Sequence, residues 1–79
     1  METDVDDYTR AIAAILKDAQ TRHGQPTYDE LAEMTGLGRA TVSRILTGKR
    51  DITMRYLRLM CLALGLDPAQ VLTDAESNL

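Results

Sequence analysis

Cationic side chains are concentrated in one stretch of this 79-residue chain, from Arg39 to Arg58. The stretch holds six basic residues and one acid, a formal charge of +5, whereas the rest holds three basic and eleven acidic residues, a charge of −8. Lysine and arginine bind phosphate oxygens, and an arginine can also donate two hydrogen bonds to the edge of a guanine. The segregation favours a positive face that docks on nucleic acid, although charges that only solvate helix surfaces are an alternative. The basic residues of this stretch are Arg39, Arg44, Lys49, Arg50, Arg55 and Arg58.

The side chains needed for covalent or metal chemistry do not occur together in the sequence. It offers no Ser/His/acid set, no phosphate-binding glycine loop and no cluster of cysteine and histidine. The paired acids Asp29 and Glu30 fall at a predicted helix start, where capping explains them, and His23 falls at a helix end. We therefore expect no enzymatic activity, no metal and no cofactor. Cys61, the single cysteine, has apolar neighbours and is expected to be a buried, inert thiol rather than a reactive one.

Two short helices joined by a glycine turn are predicted between residues 27 and 48. Thr27 and Glu30 have the spacing of a capping box, which starts the first helix, and Gly36 suits the left-handed backbone at its end. The second helix is predicted from Arg39 to Thr47, with its polar residues facing outward. This arrangement is typical of a helix-turn-helix. The residues expected to face the core are Leu31 and Met34 on the first helix and Val42, Ile45 and Leu46 on the second.

A long amphipathic helix is predicted before this pair, with Thr3 or Asp4 as its cap and Gly24 as its stop. Its apolar residues recur at intervals of three and four, so they are expected to close the core over the helix-turn-helix. These residues are Val5, Tyr8, Ile12, Ile15, Leu16 and Ala19.

Two more helices are predicted after the pair, which makes an all-α, five-helix fold in a single domain over residues 1–79. The fourth helix runs from about Met54 to Leu64 behind a Thr53 cap, and a short fifth helix starts at Asp67-Pro68. Residues 74–79 have little to bury and are expected to form a mobile or partner-ordered tail. The inward residues are predicted to be Leu57, Met60, Cys61 and Leu64 on the fourth helix and Val71 and Leu72 on the fifth.

The fourth helix is apolar nearly all round, which exceeds what a small monomer can bury. The surplus predicts a second contact surface, formed with another copy of the chain as a homodimer. The alternative is that Leu59 and Leu62 pack against the last helix or the C-terminal tail. The residues assigned to the dimer interface are Tyr56, Leu59, Leu62 and Leu66.

An ordered set of residues resembles the helix-turn-helix domain of the lambdoid phage repressors and Cro proteins, also called the xenobiotic response element family. The resemblance covers about Ile12 to Leu72 and implies a compact, repressor-like DNA-binding domain. The matching residues are Thr27, Glu30, Leu31 and Ala32, then Gly36, the T-V-S-R of Thr41 to Arg44, Ile45, the T-G-K-R of Thr47 to Arg50, and the A-L-G of Ala63 to Gly65.

The family pattern, transferred residue by residue, implies two groups of DNA contacts. The base-contacting group comprises Arg39, Ala40, Ser43 and Arg44. The phosphate-contacting group comprises Tyr28, Thr41, Thr47, Lys49, Arg50 and Thr53. The chain departs from the family where Tyr28 replaces a polar amide and where Gly38 replaces a Ser or Thr cap. For Arg44, a salt bridge to Glu33 or Asp29 is an alternative to base contact.

The resemblance implies a transcriptional regulator, a Cro- or C1-type repressor that binds a palindromic DNA operator as a homodimer. An alternative from another class is a protein-interaction module of the same fold, such as a phage-encoded host-factor binder or an antitoxin. A third is one domain of a larger regulator. We expect a cytoplasmic location with no membrane and no small-molecule ligand as partner, because no apolar stretch approaches about 20 residues and the METDVDD start is acidic.

Overall fold

The computed structural model describes residues 6–79, except for the side chain of His23. Its helices are α1 (Asp7–His23), α2 (Tyr28–Thr35), α3 (Arg39–Leu46), α4 (Met54–Leu64) and α5 (Pro68–Ser77), and the described residues form no strand. The predicted all-α, five-helix fold is therefore confirmed. Within the same residues, no helix is both long enough and apolar enough to cross a membrane.

The cap of α1 is Asp6, so the prediction of Thr3 or Asp4 in that role is wrong. The Oδ1 atom of Asp6 accepts a hydrogen bond from the Thr9 amide at 2.8 Å. This bond, together with one from the Thr9 side chain, stabilises the carboxylate and lowers the pKa of Asp6. Several acids precede the helix, and the sequence alone did not distinguish which one faces the free amides. Val5, predicted as a core residue, lies outside the described residues, as do Thr3 and Asp4.

The core lies where α1, α2, α3 and α4 meet, and Leu16, Leu31, Val42 and Met60 have no exposed surface there. The predicted inner residues of α3 and the burial of Cys61 are confirmed. The prediction that Met34 faces the core is wrong, because its side chain is 59% exposed. The buried side chains of the short helix α2 are Leu31 and Thr35, one turn apart, and the Thr35 hydroxyl donates to the Leu31 carbonyl at 2.6 Å.

The last helix is longer than predicted and packs against α1. Residues 74–77 belong to it, and Ala75 is fully buried, so this part of the expected mobile tail is helical instead. The Tyr8 hydroxyl also donates to the Leu72 carbonyl at 3.2 Å. The end of α5 is therefore packed through Ala75, whose small side chain lets two helices approach closely.

Turns with positive φ set the geometry on both sides of α3. Gly36 ends α2 at φ 76°, a conformation that side chains with a Cβ rarely adopt, and its amide donates to the Ala32 carbonyl. Gly48 follows α3 at φ 73°, and a Cβ placed there would lie 3.6 Å from the Ala13 side chain. These turns, with the contacts of α1 and α2 on α3, fix the inner side of α3 and leave its outer side open.

Candidate nucleic-acid interface

The outer side of α3 carries the residues predicted to contact bases. Arg39, Ala40 and Arg44 are exposed, and Ser43 is partly exposed, whereas Val42 and its neighbours are buried on the opposite side. No described part of the fold covers this surface. The structure thus brings the four residues together on one accessible helix face, the arrangement needed for side chains to reach base edges in a major groove.

The start of α3 lacks a side-chain cap, as the sequence predicted. Gly38 occupies the cap position, its carbonyl accepts from the Val42 amide, and no side chain accepts from the first turn. The first side chain of the helix is Arg39, so a cation instead of an acid occupies its positive end. This placement is unfavourable for the isolated helix, and a nearby negative group compensates for it.

That negative group is Asp29 on α2. Its Oδ1 atom lies 2.8 Å from Nε of Arg39, and both side chains are largely exposed, at 78% for the aspartate and 68% for the arginine. The salt bridge considered for Arg44 is not found, since Arg44 has no ion-pair partner among the described residues. Sequence reasoning missed the Arg39 pair because the two residues meet only through the crossing of α2 and α3.

A second cation reaches the start of α2 from α1. Lys17 Nζ donates to the Tyr28 hydroxyl at 2.5 Å and lies 4.7 Å from the centroid of its ring. Lys17 was not predicted as a site residue because it lies in the acidic part of the sequence. Its spacing in α1 gave no signal, since only the folded chain brings its side chain to Tyr28.

Arg50 is held in a similar way by another partly buried tyrosine, Tyr56. Its Nη2 atom donates to the Tyr56 hydroxyl at 3.2 Å, and its guanidinium carbon lies 5.1 Å from the ring centroid. The neighbouring Lys49 is exposed. Lys17 and Arg50 are thus each held by a tyrosine, whereas Lys49 beside Arg50 is exposed.

The three threonines predicted to contact phosphate differ in what their hydroxyls already do. Thr47 donates to the Ser43 carbonyl at 2.8 Å, so its proton is in use within α3. Thr53 accepts from the Tyr56 amide at 3.0 Å as the cap of α4, which leaves its proton available. Thr41 is partly exposed. Of the three, Thr47 is therefore the one whose proton is already used within the described fold.

An open groove of about 490 Å³ lies along α4 and the start of α5. Three of the four residues assigned to a dimer interface line it: Leu59, Leu62 and Leu66. Tyr56 does not, because its side chain packs against the core and Arg50. Leu62 is 81% exposed, which contradicts the alternative that it packs against the last helix or tail. Nothing in the sequence indicated that the remaining lining residues belong to this surface; they are Met54, Arg55, Arg58 and Pro68.

A glycine turn between two helices, with the second helix open on its polar side, defines a helix-turn-helix DNA-binding domain. A family model described as helix-turn-helix matches residues 27–71. The chain belongs to this helix-turn-helix family, of the Cro/C1 type, and the resemblance seen in the sequence is confirmed. It is a sequence-specific DNA-binding regulator of transcription.

The fold is similar to crystal structures of the clp gene regulator ClgR from Corynebacterium glutamicum. One of them is 28% identical, covers 91% of this chain and 92% of that one, and superposes with a TM-score of 0.79. Another is 27% identical, covers 95% of this chain and 79% of that one, and has a TM-score of 0.81. No curated protein matches the chain in a sequence search.

Proposed function

We propose that the protein is a repressor that binds a palindromic operator as a homodimer and lays α3 of each copy in the major groove. The observation that carries this proposal is the outer side of α3, which is polar and accessible while its inner side is fully buried. The family and the similarity to a clp gene regulator support a role at promoters. A cytoplasmic location, where the protein has access to DNA, is part of this proposal.

In this proposal Arg39, Ala40, Ser43 and Arg44 read the base edges. Arginine donates bidentately to guanine, so each half-site contains at least one guanine, and Ala40 meets a thymine methyl group. Arg44 is exposed and has no ion pair with a described residue, so no ion pair has to break before it donates. It is therefore the residue whose loss is expected to change sequence preference most directly.

The phosphate contacts are proposed to come from both sides of α3. They are assigned to Tyr28, Thr41, Thr47, Lys49, Arg50 and Thr53, with Lys17 added through its bond to Tyr28. Lys49 and Arg50 follow the C-terminal end of α3, whereas Tyr28 is the first residue of α2 and Lys17 of α1 contacts it. Contacts on both sides of a recognition helix fix its register without reading sequence.

The groove along α4 is proposed to receive a second copy of the chain. An exposed leucine such as Leu62 needs cover that the monomer does not supply. A two-fold arrangement also offers charge complementarity, because Arg55 and Arg58 line the groove and the exposed Asp67 lies between its lining residues Leu66 and Pro68. Leu59, Leu62 and Leu66 form the centre of this interface, and Tyr56 is assigned to its edge.

Selection of genomic fragments at a stated salt concentration, followed by sequencing, would identify the operator and test DNA recognition. On that site, Arg44→Ala should cost about 1–3 kcal/mol and relax the preference at one base pair. Arg22→Ala, which removes an exposed arginine of α1 beside α5, is the matched control and should leave affinity nearly unchanged. A selection that enriches no sequence would contradict the proposal.

Sedimentation equilibrium tests the dimer. Leu62→Asp should yield a monomer and weaken operator binding. Two monomers then bind the two half-sites independently, and the affinity gained from linking the two binding events is lost. Met34→Asp introduces the same charge at another exposed apolar residue, on α2, and should leave the oligomeric state unchanged. If Leu62→Asp abolished biological function while Arg44→Ala did not, the alternative of a protein-interaction module would replace DNA-binding repression.

A further inference from the structure

We propose that Asp29 is a specificity-determining residue, because it positions Arg39 to read a guanine. This inference rests on the proposed function, in which α3 lies in the major groove. Asp29 belongs to the first turn of α2, and Arg39 is the first residue of α3. Their ion pair, 2.8 Å between Oδ1 and Nε, joins the two helices across the turn at the point where the recognition helix begins.

The geometry leaves the reading end of Arg39 available. The carboxylate lies at Nε, and neither Nη atom has a hydrogen-bond partner among residues 6–79. Recognition of guanine requires two parallel N–H donors from one guanidinium, and the Nη groups can supply them. Asp29 thus contacts the guanidinium at Nε, and the arginine side chain is otherwise largely exposed.

The surroundings of the pair change when α3 meets DNA. In the free protein both side chains are exposed, so the ion pair adds little to stability. In the groove water is displaced, the effective dielectric constant falls, and the attraction that restrains Arg39 grows. Less side-chain freedom is then lost on binding, which favours the correct base.

The carboxylate also changes what Arg39 prefers to bind. A lone arginine is attracted to any phosphate, whereas an arginine paired with an acid has less net charge to offer and gains mainly from directed hydrogen bonds. Asp29 is therefore expected to lower affinity for unrelated DNA while it raises discrimination at one base pair. Arg44 lacks such a partner, so pairing with an acid is not a general feature of the arginines on this surface.

The test compares wild type, Asp29→Asn and Glu33→Gln by fluorescence anisotropy on synthetic duplexes at one salt concentration. Each variant removes one exposed acid from α2, but only Asp29 contacts Arg39. The duplexes carry the selected site or a changed base pair at the position where Arg39→Ala relaxes preference. Asp29→Asn should reduce discrimination there by about three- to tenfold, while Glu33→Gln should leave it unchanged.

Two further variants separate positioning from a general charge effect. In an Arg39→Ala background, Asp29→Asn should no longer change discrimination. The single variant Asp29→Glu, which keeps the negative charge, should retain part of the wild-type discrimination. Equal discrimination by wild type and Asp29→Asn would overturn the inference. So would the same gain of affinity on every duplex for Asp29→Asn and for Glu33→Gln. A wild-type protein that prefers no duplex would overturn the proposed function as well, so the two failures are distinguishable. Thermal unfolding verifies that each variant is folded.

Discussion

Arg39 and Arg44 have the same side chain and lie on the same face of α3, yet their surroundings differ. Arg39 is paired with Asp29, whereas Arg44 has no ion-pair partner in the described structure. The helical spacing predicted that both would point outward, because burial of Val42 and Ile45 fixes the opposite side. The pairing could not be predicted, since it depends on how closely α2 and α3 cross and on the rotamers of two long side chains.

Cys61 leads to a prediction about pH at the residue scale. Burial raises the pKa of its thiol, and the negative charge of Asp67 adds to the rise. The unfolded chain therefore loses the thiol proton at a lower pH than the folded protein does. The stability contributed by the protonated thiol is complete below the unfolded pKa and is lost as pH rises above about 8.5 toward the folded pKa.

Urea unfolding of wild type and Cys61→Ala between pH 7 and pH 10 measures this effect, because other groups titrate equally in both proteins. The free energy of unfolding should fall more steeply with pH in wild type than in the variant. Native Cys61 should also react with iodoacetamide far more slowly than the urea-unfolded thiol does. Parallel pH profiles would show that burial does not affect this thiol's ionisation.

At the scale of elements, the sequence located the starts of α2, α4 and α5 because each has a capping signal. The Thr27–Glu30 box, Thr53 and Asp67 all occupy the cap roles predicted for them. The end of α5 was not predicted, because its last turn carries one apolar residue, Ala75, in a polar stretch. A helical pattern needs apolar residues that recur at intervals of three or four, and the last turn of α5 offers no second one beside Ala75.

The cap of α2 supplies a prediction for a single element. In Thr27→Ala the hydroxyl that accepts from the Glu30 amide at 3.2 Å is lost, which should lower the free energy of unfolding by about 1 kcal/mol. Thr73→Ala is the control, because that hydroxyl bonds only to the carbonyl one turn before it in α5 and caps nothing. Chemical denaturation measures both. Equal effects would indicate that the capping box does not stabilise α2.

The buried end of α5 leads to a further prediction about stability. Deletion of residues 74–79 should destabilise the domain by about 1–3 kcal/mol, because it removes Ala75 from its contact with the core and shortens α5. Deletion of residues 78–79 alone, which are exposed, should cost much less. Differential scanning calorimetry distinguishes the two. If both truncations melt at the same temperature, the segment is the dispensable tail that its composition suggests.

At the scale of the whole molecule, the charge distribution separates two kinds of contact by their response to salt. DNA affinity should fall steeply with salt, because bound phosphates release counterions, whereas association through the leucines of the groove should depend on salt much less. Lys49→Ala should reduce the slope of log affinity against log salt by about one per protomer, and Arg22→Ala should not change it. A slope that Lys49→Ala leaves unaltered would remove Lys49 from the phosphate contacts.

The pairing of α1 with α5 has a consequence for how the chain acquires its shape. The bond from Tyr8 to Leu72 joins residues 64 positions apart, whereas α2, α3 and α4 follow one another through short turns. Closing the longest loop costs the most chain entropy and is favoured only when neighbouring helices are already assembled. We therefore expect α2, α3 and α4 to form the folding nucleus and α5 to dock last. Weakening the α1–α5 contact should then accelerate unfolding and leave the rate of folding nearly constant.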